Sequence, residues 1–356
     1  MSGVLVTGGA GFIGSTVVRQ LLDRGETVIV LDALTYAGRR ENLGELFARP
    51  DFVFVHGSIT DSALVASLLA LHKPHAVVHM AAETHVDRSI DRPVDFVQTN
   101  VLGTHAMLEA ALAYWRTLAG AERRVFRFVQ VSTDEVYGSV PEGFATEGAP
   151  IAAGSPYAAT KAAADLLARA MYQTYGLPVV VTRGCNCYGP RQFPEKLIPL
   201  LTLRALSARP LPLYGDGKHV REWIYVDDAA AGIIAALEHG SAGNAYNLGS
   251  GERLENLEVA CAICRLLGER LGVPSGTLMA RIELVTDRPG HDRRYATDST
   301  RAQRTLRWNA ATHFQAGLTR TIDWYAGNRA WWAPITRECY DLVRLGVPAA
   351  ATGPAN

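Results

Sequence analysis

Short apolar runs rich in β-branched residues alternate along the chain with longer stretches in which apolar residues recur at helical spacing. The short runs predict six buried strands, at residues 4–7, 27–32, 52–56, 76–80, 126–132 and 179–183. Strands that alternate with helices in this way predict an α/β fold with a doubly wound parallel sheet. Such a sheet binds its ligand beyond the carboxyl ends of its strands.

The pattern becomes irregular after residue 184, where Gly- and Pro-rich turns such as YGPRQFP and LYGDGKH separate shorter elements. We therefore expect a first domain at residues 1–184 and a smaller C-terminal lobe, mainly for substrate binding, at residues 185–345. Segments near residues 223–248 are expected to return to the first domain. Residues 346–356 are predicted to be a loose tail.

The charge of the chain is balanced, with 35 Lys and Arg against 35 Asp and Glu. A neutral total gives no global field that attracts nucleic acid or an anionic membrane, so neither is an expected partner. The apolar stretches are strand-length, and the first residues lead into a strand and a glycine turn instead of a signal peptide. We expect a cytoplasmic protein.

The five cysteines form an odd set in a chain without a secretory signal, which favours a reducing compartment. Cys261 and Cys264 have CxxC spacing, but they lie in an amphipathic helical pattern without a second ligand pair nearby. Helix packing is therefore preferred to metal or redox chemistry. The ten histidines lack metal-ligand spacing, and no metal is predicted.

A glycine turn follows the first predicted strand and precedes a helical run: Gly8, Gly11 and Gly14 have the spacing G-x-x-G-x-x-G. Such a turn brings backbone N–H groups against a pyrophosphate at a helix N-terminus. Asp32 ends the second strand about twenty residues later, where a carboxylate accepts ribose hydroxyls and repels a 2′-phosphate. The glycine turn and Asp32 together predict that the cofactor is NAD, not NADP. The alternative is a structural turn followed by a solvated aspartate.

Tyr157 and Lys161 have the spacing Y-x-x-x-K at a predicted helix start, which places both side chains on one face. A free phenol, with a pKa near about 10, is a poor base at neutral pH. A neighbouring ammonium favours the phenolate, so Tyr157 is predicted to take a proton from a sugar hydroxyl. Lys161 is predicted to hold the nicotinamide ribose as well. The spacing also occurs by chance, and the upstream glycine turn favours the functional interpretation.

The strand at residues 126–132 delivers Thr133, Asp134 and Glu135 at its carboxyl end. In a regular strand the two acids would face opposite ways, so the chain must turn here for both to reach one substrate. Two carboxyl groups in one cleft can divide acid and base roles where their environments differ. The alternative is a capping turn with solvated acids.

Over nearly its whole length the chain resembles the extended short-chain dehydrogenases and, within them, the dTDP-glucose 4,6-dehydratases. The segments that carry the resemblance are VTGGAGFIGS, LDALTYAG, MAAETHVDRSI, STDEVYG, SPYAATKAAAD, CYGPRQFPEKLIPL, LYGDGKHVREWIYVDD, YNLGSG and VTDRPGHDRRYATD. The resemblance implies a Rossmann-type sheet and the dehydration of a nucleotide-activated glucose, dTDP-glucose first, to a 4-keto-6-deoxy sugar nucleotide.

The implied cycle has three steps. Tyr157 deprotonates the 4-hydroxyl as hydride leaves C4 for NAD, while Thr133 hydrogen-bonds the reacting oxygen. Glu135 then removes the C5 proton and Asp134 protonates the departing C6 hydroxyl, which eliminates water. The hydride returns to C6 and a proton is added at C5, so no cofactor is consumed.

The resemblance also implies the binding residues. For NAD they are Phe12, Ile13, Asp32, Ala33, Leu34, Thr35, Ser58, Ile59, Met80, Ala81, Ala82, Thr84, Thr99, Tyr157, Lys161 and Cys187. For the nucleotide-sugar they are Thr84, Thr133, Asn186, Lys196, Leu197, Pro212, Leu213, Tyr214, Arg221, Asn247, Asp287, Arg288, Pro289, Gly290 and His291. Lys196 and Arg221 supply cations for a diphosphate.

Three positions depart from the family pattern. Ser58 replaces a carboxylate expected near the adenine amine, and Cys187 replaces an amide beside the nicotinamide. Arg191 adds a cation near the sugar-nucleotide lobe, where it favours a different base, favours a more anionic sugar or faces solvent.

Alternative functions remain at this stage. A dehydratase acting on another nucleotide-sugar, a 4-epimerase and a uronate decarboxylase share the glycine turn and Y-x-x-x-K, although an epimerase does not need the adjacent acids. A noncatalytic NAD-binding sensor would retain only the fold.

The resemblance further implies a homodimer through helices around residues 93–115 and 157–175. In the second helix Ala159, Ala163 and Ala170 permit close approach, either to a partner or to the chain's own sheet.

Overall fold

The computed structural model describes residues 3–343. Its strands, in chain order, are β1 (Val4–Thr7), β2 (Val28–Asp32), β3 (Phe52–His56), β4 (Ala76–His79), β5 (Arg127–Thr133), β6 (Val179–Gly184), β7 (Asn186–Tyr188), β8 (Leu211–Tyr214), β9 (Val220–Tyr225), β10 (Ala245–Leu248), β11 (Arg253–Glu255) and β12 (Ile282–Val285). Seven of them form one parallel sheet in the order β10-β6-β5-β4-β1-β2-β3. The predicted doubly wound α/β fold is confirmed.

The helices, in chain order, are α1 (Phe12–Asp23), α2 (Ser62–His72), α3 (Val86–Asp91), α4 (Pro93–Phe96), α5 (Thr104–Thr117), α6 (Gly120–Val125), α7 (Pro156–Tyr175), α8 (Leu197–Leu206), α9 (Val226–His239), α10 (Asn256–Leu271), α11 (Ser275–Met279), α12 (Phe314–Gly327) and α13 (Arg329–Glu338). One face of the main sheet is covered by α1 and α9, and the other by α2, α5 and α7. Apolar side chains from both faces of each central strand are therefore buried, as a parallel sheet requires.

The six strands predicted from the sequence all form, with ends shifted by one residue in four of them. β3 departs most from the prediction of full burial, because it lies at the edge of the sheet and most of its side chains are only partly covered. In β5, Arg127 and Val131 are also only partly covered. The strand order reverses between β1 and β4, whose neighbours lie on opposite sides. A crevice opens at such a reversal, beyond the carboxyl ends of the strands.

The rest of the chain builds two small sheets beside this crevice. One has the order β11-β9-β7 and the other pairs β12 with β8. The segment that includes α9 and β10 adds to the main sheet, whereas Trp223 lies in β9 of the small sheet. The predicted tail at residues 346–356 lies outside the described residues. Within residues 3–343, no helix has the length and apolar character needed to span a bilayer.

A continuous helical segment runs from α4 through a π-helical turn, Val97–Gly103, into α5. The turn carries Thr99 and Asn100 toward the crevice. Asn100 donates to the Glu83 carbonyl and to the Thr160 hydroxyl, both at 3.0 Å. It thereby ties the end of β4 to α7. π-Turns of this kind occur frequently at functional sites.

Candidate active site

The glycine turn leaves no room for side chains. Gly8 has φ +72°, and a Cβ there would lie 2.7 Å from the backbone nitrogen of Ala81. A Cβ on Gly14 would lie 2.1 Å from the Gly8 carbonyl oxygen. Helix α1 then begins with Gly11 at its N-cap, without a side-chain cap. Its first N–H groups are thus directed at the crevice, in the arrangement that binds a pyrophosphate.

Asp32 is held in place at the end of β2. Its Oδ2 accepts a hydrogen bond from the Ala10 N–H at 2.9 Å, and its Oδ1 accepts one from the Leu34 N–H at 2.8 Å. Burial raises the pKa of Asp32, while these two N–H groups and His56 act in the opposite direction. The carboxylate is fixed where it can accept ribose hydroxyls.

A cavity of about 370 Å³ runs from the glycine turn to the end of β5. Of the residues predicted to bind NAD, only Leu34 does not line it, because its side chain packs against the hydrophobic core. Those that line it are Gly8, Gly11, Phe12, Ile13, Gly14, Asp32, Ala33, Thr35, Ser58, Ile59, Met80, Ala81, Ala82, Thr84, Thr99, Tyr157, Lys161 and Cys187. The residues present fit a dinucleotide from its adenosine end to its nicotinamide end.

Two of the departures from the family pattern lie in this cavity. The Ser58 hydroxyl is hydrogen-bonded to the Thr60 hydroxyl at 2.7 Å, and its Oγ accepts from the Thr60 N–H at 3.2 Å. Burial holds the pKa of the Cys187 thiol well above its ordinary value, and Asp227 and Asp228 raise it further. Cys187 is therefore a neutral thiol at physiological pH.

The five predicted catalytic residues also meet in this cavity: Thr133, Asp134, Glu135, Tyr157 and Lys161. Strand β5 ends at Thr133, and a 3₁₀ turn, Asp134–Tyr137, follows immediately. The Thr133 hydroxyl accepts from the Glu135 N–H at 3.3 Å and donates to Asp134 Oδ1 at 3.2 Å. The turn required by the sequence is present, and it brings both acids to one side of the chain.

The two adjacent acids have different electrostatic surroundings. The pKa of Asp134 lies well above its ordinary value, first through burial and then through the charges of Glu135 and Glu222. Burial also raises the pKa of Glu135, but Arg288, Arg221 and Lys196 all oppose that rise. Asp134 is thus the member of the pair that retains a proton, and Glu135 is the member that ionises first.

Tyr157 lies at the start of α7, which is capped by the Ser155 side chain and has Pro156 in its first turn. Burial and then Glu135 raise the pKa of Tyr157, while a hydrogen bond with Thr133 lowers it. The Lys161 ammonium donates to the Val131 carbonyl at 2.6 Å, and its predicted effect on the pKa of Tyr157 stays a prediction. Burial lowers the pKa of Lys161 itself to about 8.

A second cavity of about 160 Å³ adjoins the first and shares Glu135, Asn186, Glu195 and Lys196 with it. The predicted nucleotide-sugar residues that line it are Asn186, Lys196, Leu197, Pro212, Tyr214, Arg221, Arg288 and His291; Thr84 and Thr133 line the first cavity. Three of these side chains, Lys196, Arg221 and Arg288, are cationic and can form charge-assisted hydrogen bonds to a diphosphate.

Five residues predicted to contact the nucleotide-sugar do not line either cavity: Leu213, Asn247, Asp287, Pro289 and Gly290. Asn247 is fully buried, its amide donates to the Ala145 and Asp298 carbonyls, and its Oδ1 accepts from the Tyr137 hydroxyl. It orders the loops behind the site. Leu213 is buried because it packs in the core beneath the small sheets.

Three residues that the sequence did not single out belong to the site. Asn256 lines the second cavity, and its buried Oδ1 has no protein partner. The Tyr295 hydroxyl lies 3.4 Å from Glu135 Oε2 and donates to Asp292 at 2.9 Å. Glu195 lines both cavities. Glu195 and Tyr295 lie inside segments that carry the resemblance, PEKLIP and DRRYATD, and that position was their only sequence signal.

Arg191, the third departure, lies outside both cavities. Burial and then Arg19 lower its pKa, while Glu45 and Asp227 raise it. Its guanidinium carbon lies 5.9 Å from the centre of the Trp324 ring. The added cation therefore lies beside Trp324 and outside the two cavities, and its effect on the choice of substrate stays a prediction.

Asp287 joins two histidines that are far apart in sequence. Its Oδ2 is 3.2 Å from His219 Nε2, and its Oδ1 is 2.6 Å from His291 Nδ1. The two imidazole rings stack with centroids 3.7 Å apart. One ligand atom from each of His219, Asp287 and His291 lies within 4.8 Å of the others, which is close enough to hold a metal ion. Burial and then Arg288 lower the pKa of His291 to about 3. The absence of a metal stays a prediction.

Comparison with known proteins places this site in context. Residues 5–321 match the family model described as GDP-mannose 4,6 dehydratase. The chain is 50% identical over 344 residues to a dTDP-glucose 4,6-dehydratase of Xanthomonas campestris pv. campestris (strain B100), covering 96% of this chain and 98% of that protein. It is 46% identical to the protein of the same name from Neisseria meningitidis serogroup B, covering 97% and 99%.

Solved structures give the same grouping. A dTDP-glucose 4,6-dehydratase from Streptomyces venezuelae, solved as a double mutant with NAD bound, superposes with a TM-score of 0.85 at 46% identity, covering 93% of this chain and 99% of that one. A UDP-glucose 4-epimerase from Thermus thermophilus, in complex with NAD, gives a TM-score of 0.79 at 35% identity, covering 91% and 99%.

Proposed function

Because this chain belongs to the dTDP-glucose 4,6-dehydratase family of extended short-chain dehydrogenases, it is an NAD-dependent hydro-lyase, and we propose that it converts dTDP-glucose to the 4-keto-6-deoxy sugar nucleotide. The observation that carries the proposal is that the two adjacent acids, Asp134 and Glu135, have different electrostatic surroundings. Asp134 keeps its proton through burial beside two other carboxyls, while three cations favour the ionised form of Glu135. Elimination of water needs both forms at once.

The residues that would hold NAD are the glycine turn, Asp32 and the walls of the first cavity. When bound, NAD supplies a reversible hydride acceptor, so the sugar is oxidised at C4 and later reduced at C6. Tyr157 is proposed to take the proton of the 4-hydroxyl. Its pKa is raised in the protein, so the Thr133 hydroxyl, which stabilises the phenolate, is an essential neighbour.

Elimination follows once C4 is a ketone, because a carbonyl acidifies the hydrogen on the neighbouring carbon. Glu135 is proposed to remove the C5 proton, and Asp134 to protonate the C6 hydroxyl as the C–O bond breaks. Asp134 Oδ2 is buried and has no hydrogen-bond partner among residues 3–343, which leaves it for this proton transfer. The Tyr295 hydroxyl lies between Glu135 Oε2 and Asp292, and its single hydrogen is proposed to turn from Asp292 to Glu135 when the base is ionised.

The second cavity is proposed to hold the nucleoside diphosphate. Lys196, Arg221 and Arg288 supply its positive charge, although the chain as a whole is neutral. The unpartnered Oδ1 of Asn256 offers an acceptor to a hydroxyl or an N–H of the nucleotide. Relatives named for dTDP-glucose support thymidine as the base.

Incubation with dTDP-, UDP-, GDP- and CDP-glucose, followed by mass spectrometry, tests the proposal. We expect loss of one water from dTDP-glucose and slower or no loss from the other three. Equal turnover of UDP-glucose would overturn the choice of base. A 4-epimerase would return an isomer of unchanged mass, and a noncatalytic NAD-binding sensor would return all four substrates unaltered.

We also propose that the chain forms a homodimer. Apolar side chains are exposed on the helical segment from α4 to α5 and on α7: Val94, Val97, Leu102, Leu166, Tyr172 and Tyr175. Ala159 and Ala170 lie on the exposed side of α7 with Leu166, so they do not pack against the main sheet. Two helices from each protomer would bury this face in a four-helix arrangement.

The five free cysteines support a reducing, cytoplasmic compartment.

A further inference from the structure

Glu195 is buried between the two cavities and is bound from two sides. Its Oε1 accepts a hydrogen bond from the Tyr36 hydroxyl at 2.8 Å, and its Oε2 accepts one from Arg88 Nε at 2.8 Å. The Arg88 guanidinium carbon also lies 4.0 Å from the centre of the Tyr36 ring. The Glu195 side chain is only 1% exposed, whereas the Arg88 side chain is 29% exposed, so the carboxylate is enclosed and the arginine reaches the surface.

Tyr36 belongs to the loop that follows β2, and this loop borders the NAD cavity. Thr35, Ala37 and Gly38 all line that cavity. The loop is fixed at its far end by Arg39, whose N–H donates to the Ala10 carbonyl in the glycine turn at 3.0 Å. The Tyr36 ring packs edge-on against Phe193, with the two ring centroids 5.2 Å apart.

Glu195 is followed in the chain by a residue that lines the proposed nucleotide-sugar cavity. The next residue, Lys196, lines both cavities and donates from Nζ to the Thr84 carbonyl at 2.8 Å. A short path of covalent bonds and hydrogen bonds therefore joins the NAD loop, through Tyr36 and Glu195, to a cation of the diphosphate cavity. A shift of either segment would strain the hydrogen bonds that hold the other.

We propose that the Tyr36–Arg88–Glu195 cluster couples retention of NAD to binding of the nucleotide diphosphate, with Tyr36 as the positioning residue. The inference rests on the proposed function, because it takes NAD and a nucleoside diphosphate as the two ligands. A nucleotide that fixes Lys196 also fixes Glu195, which holds Tyr36 and closes the loop over the cofactor. Coupling of this kind suits a cycle in which the same NAD must receive and return one hydride.

The coupling is tested by the rate at which NAD leaves the purified holoenzyme, with and without saturating dTDP. In the unaltered protein we expect dTDP to slow NAD release by about 5-fold or more, within the range of ordinary coupling. In Tyr36→Phe we expect faster release without dTDP and less than about a twofold effect of dTDP. By reciprocity, NAD should tighten dTDP binding in the unaltered protein and not in the variant.

Tyr114→Phe is the matched control, because its hydroxyl donates to the Pro74 carbonyl far from both cavities. It should keep the full dTDP effect. Tyr36→Phe should raise the KM for the nucleotide-sugar and leave kcat within about twofold when both ligands saturate, since Tyr36 does not touch the reacting atoms. Equal slowing by dTDP in Tyr36→Phe and in the unaltered protein would refute the coupling while leaving the dehydratase intact. Failure of the unaltered protein to bind NAD or dTDP would instead refute the proposed function.

Discussion

Arg183 on β6 and Asp165 on α7 form an ion pair enclosed by the protein. Arg183 Nε lies 2.7 Å from Asp165 Oδ2, and Nη2 lies 3.1 Å from Oδ1, with both side chains at most 1% exposed. The remaining Arg183 nitrogen donates to the Tyr137 hydroxyl at 2.7 Å. Asp165 is one helical turn beyond Lys161, so this pair anchors the helix that carries Tyr157 and Lys161 to the main sheet.

Asp165→Asn should therefore destabilise the protein by about 3–5 kcal/mol, because it leaves the Arg183 charge buried without its counter-ion. Chemical denaturation monitored by fluorescence measures the loss. The same change should lower the pKa of Lys161 further, since Asp165 is the charge that raises it. Glu45→Gln, which breaks the exposed pair with Arg19, is the comparison and should cost less than about 1 kcal/mol. Similar losses in both variants would contradict this account.

Glu135→Gln should stop the reaction after oxidation at C4. An amide cannot take the C5 proton, so we expect dehydration to fall by about 10²–10⁴-fold. Deuterium from heavy water should no longer appear at C5, while the 4-keto glucose nucleotide should be trapped by quenching with borohydride. Glu142→Gln alters an exposed glutamate on the loop after the turn and should leave dehydration unchanged. Full dehydration by Glu135→Gln would mean that another group is the base.

Asp134→Asn should make the protein more stable while it abolishes protonation of the C6 hydroxyl. The native pKa is raised, so the folded state holds a proton that the unfolded chain releases above about pH 4. Stability of the unaltered protein is thus lost progressively as pH rises from there toward the native pKa, and the asparagine variant is spared that loss. The gap in unfolding free energy should widen by up to about 1.4 kcal/mol per pH unit in this window.

Thermal denaturation of both proteins at several pH values measures that gap. Asp298→Asn provides a control of opposite sign, because hydrogen bonds from Thr300 lower the pKa of Asp298. Its asparagine variant should be the less stable protein above pH 4 and should equal the unaltered protein in acid. A gap between Asp134→Asn and the unaltered protein that does not change with pH would show that Asp134 titrates normally.

Leu166→Glu should convert the proposed dimer to a monomer. Leu166 is half exposed on α7, and a charge there would be buried without a partner if two copies met through this face. Sedimentation velocity at micromolar concentration measures the change. Leu71→Glu alters an even more exposed leucine on α2, away from that face, and should remain dimeric. A monomeric unaltered protein would remove the proposal altogether.

The features predicted best from the sequence are those that depend on residues close together in the chain. The glycine turn, Asp32, the acids at the end of β5 and the Tyr157–Lys161 pair depend on spacing within one or two elements, and the structure brings all of them to one cavity. The strands were found because a parallel sheet is buried on both faces and must be continuously apolar.

The residues that the sequence did not single out, and the predicted residues that line neither cavity, depend on contacts between distant segments. Asn256 follows β11 and Asn247 lies within β10, and packing decides that Asn256 lines the cavity while the Asn247 amide donates to the Ala145 and Asp298 carbonyls. Arg191 follows a site motif directly and has a positive φ of 68°, yet its side chain lies beside Trp324 and lines neither cavity. No local pattern encodes such outcomes.

Strand β6 ends at Gly184 and β7 begins at Asn186, so a single residue, Cys185, separates the main sheet from a small one. The Cys185 side chain is buried and its N–H donates to the Leu248 carbonyl at 3.2 Å. An insertion or deletion here would rotate Asn186 away from the sugar and reverse which side chains of β7 face inward. Natural relatives are therefore expected to vary in length at the surface loops, and to keep this junction at constant length.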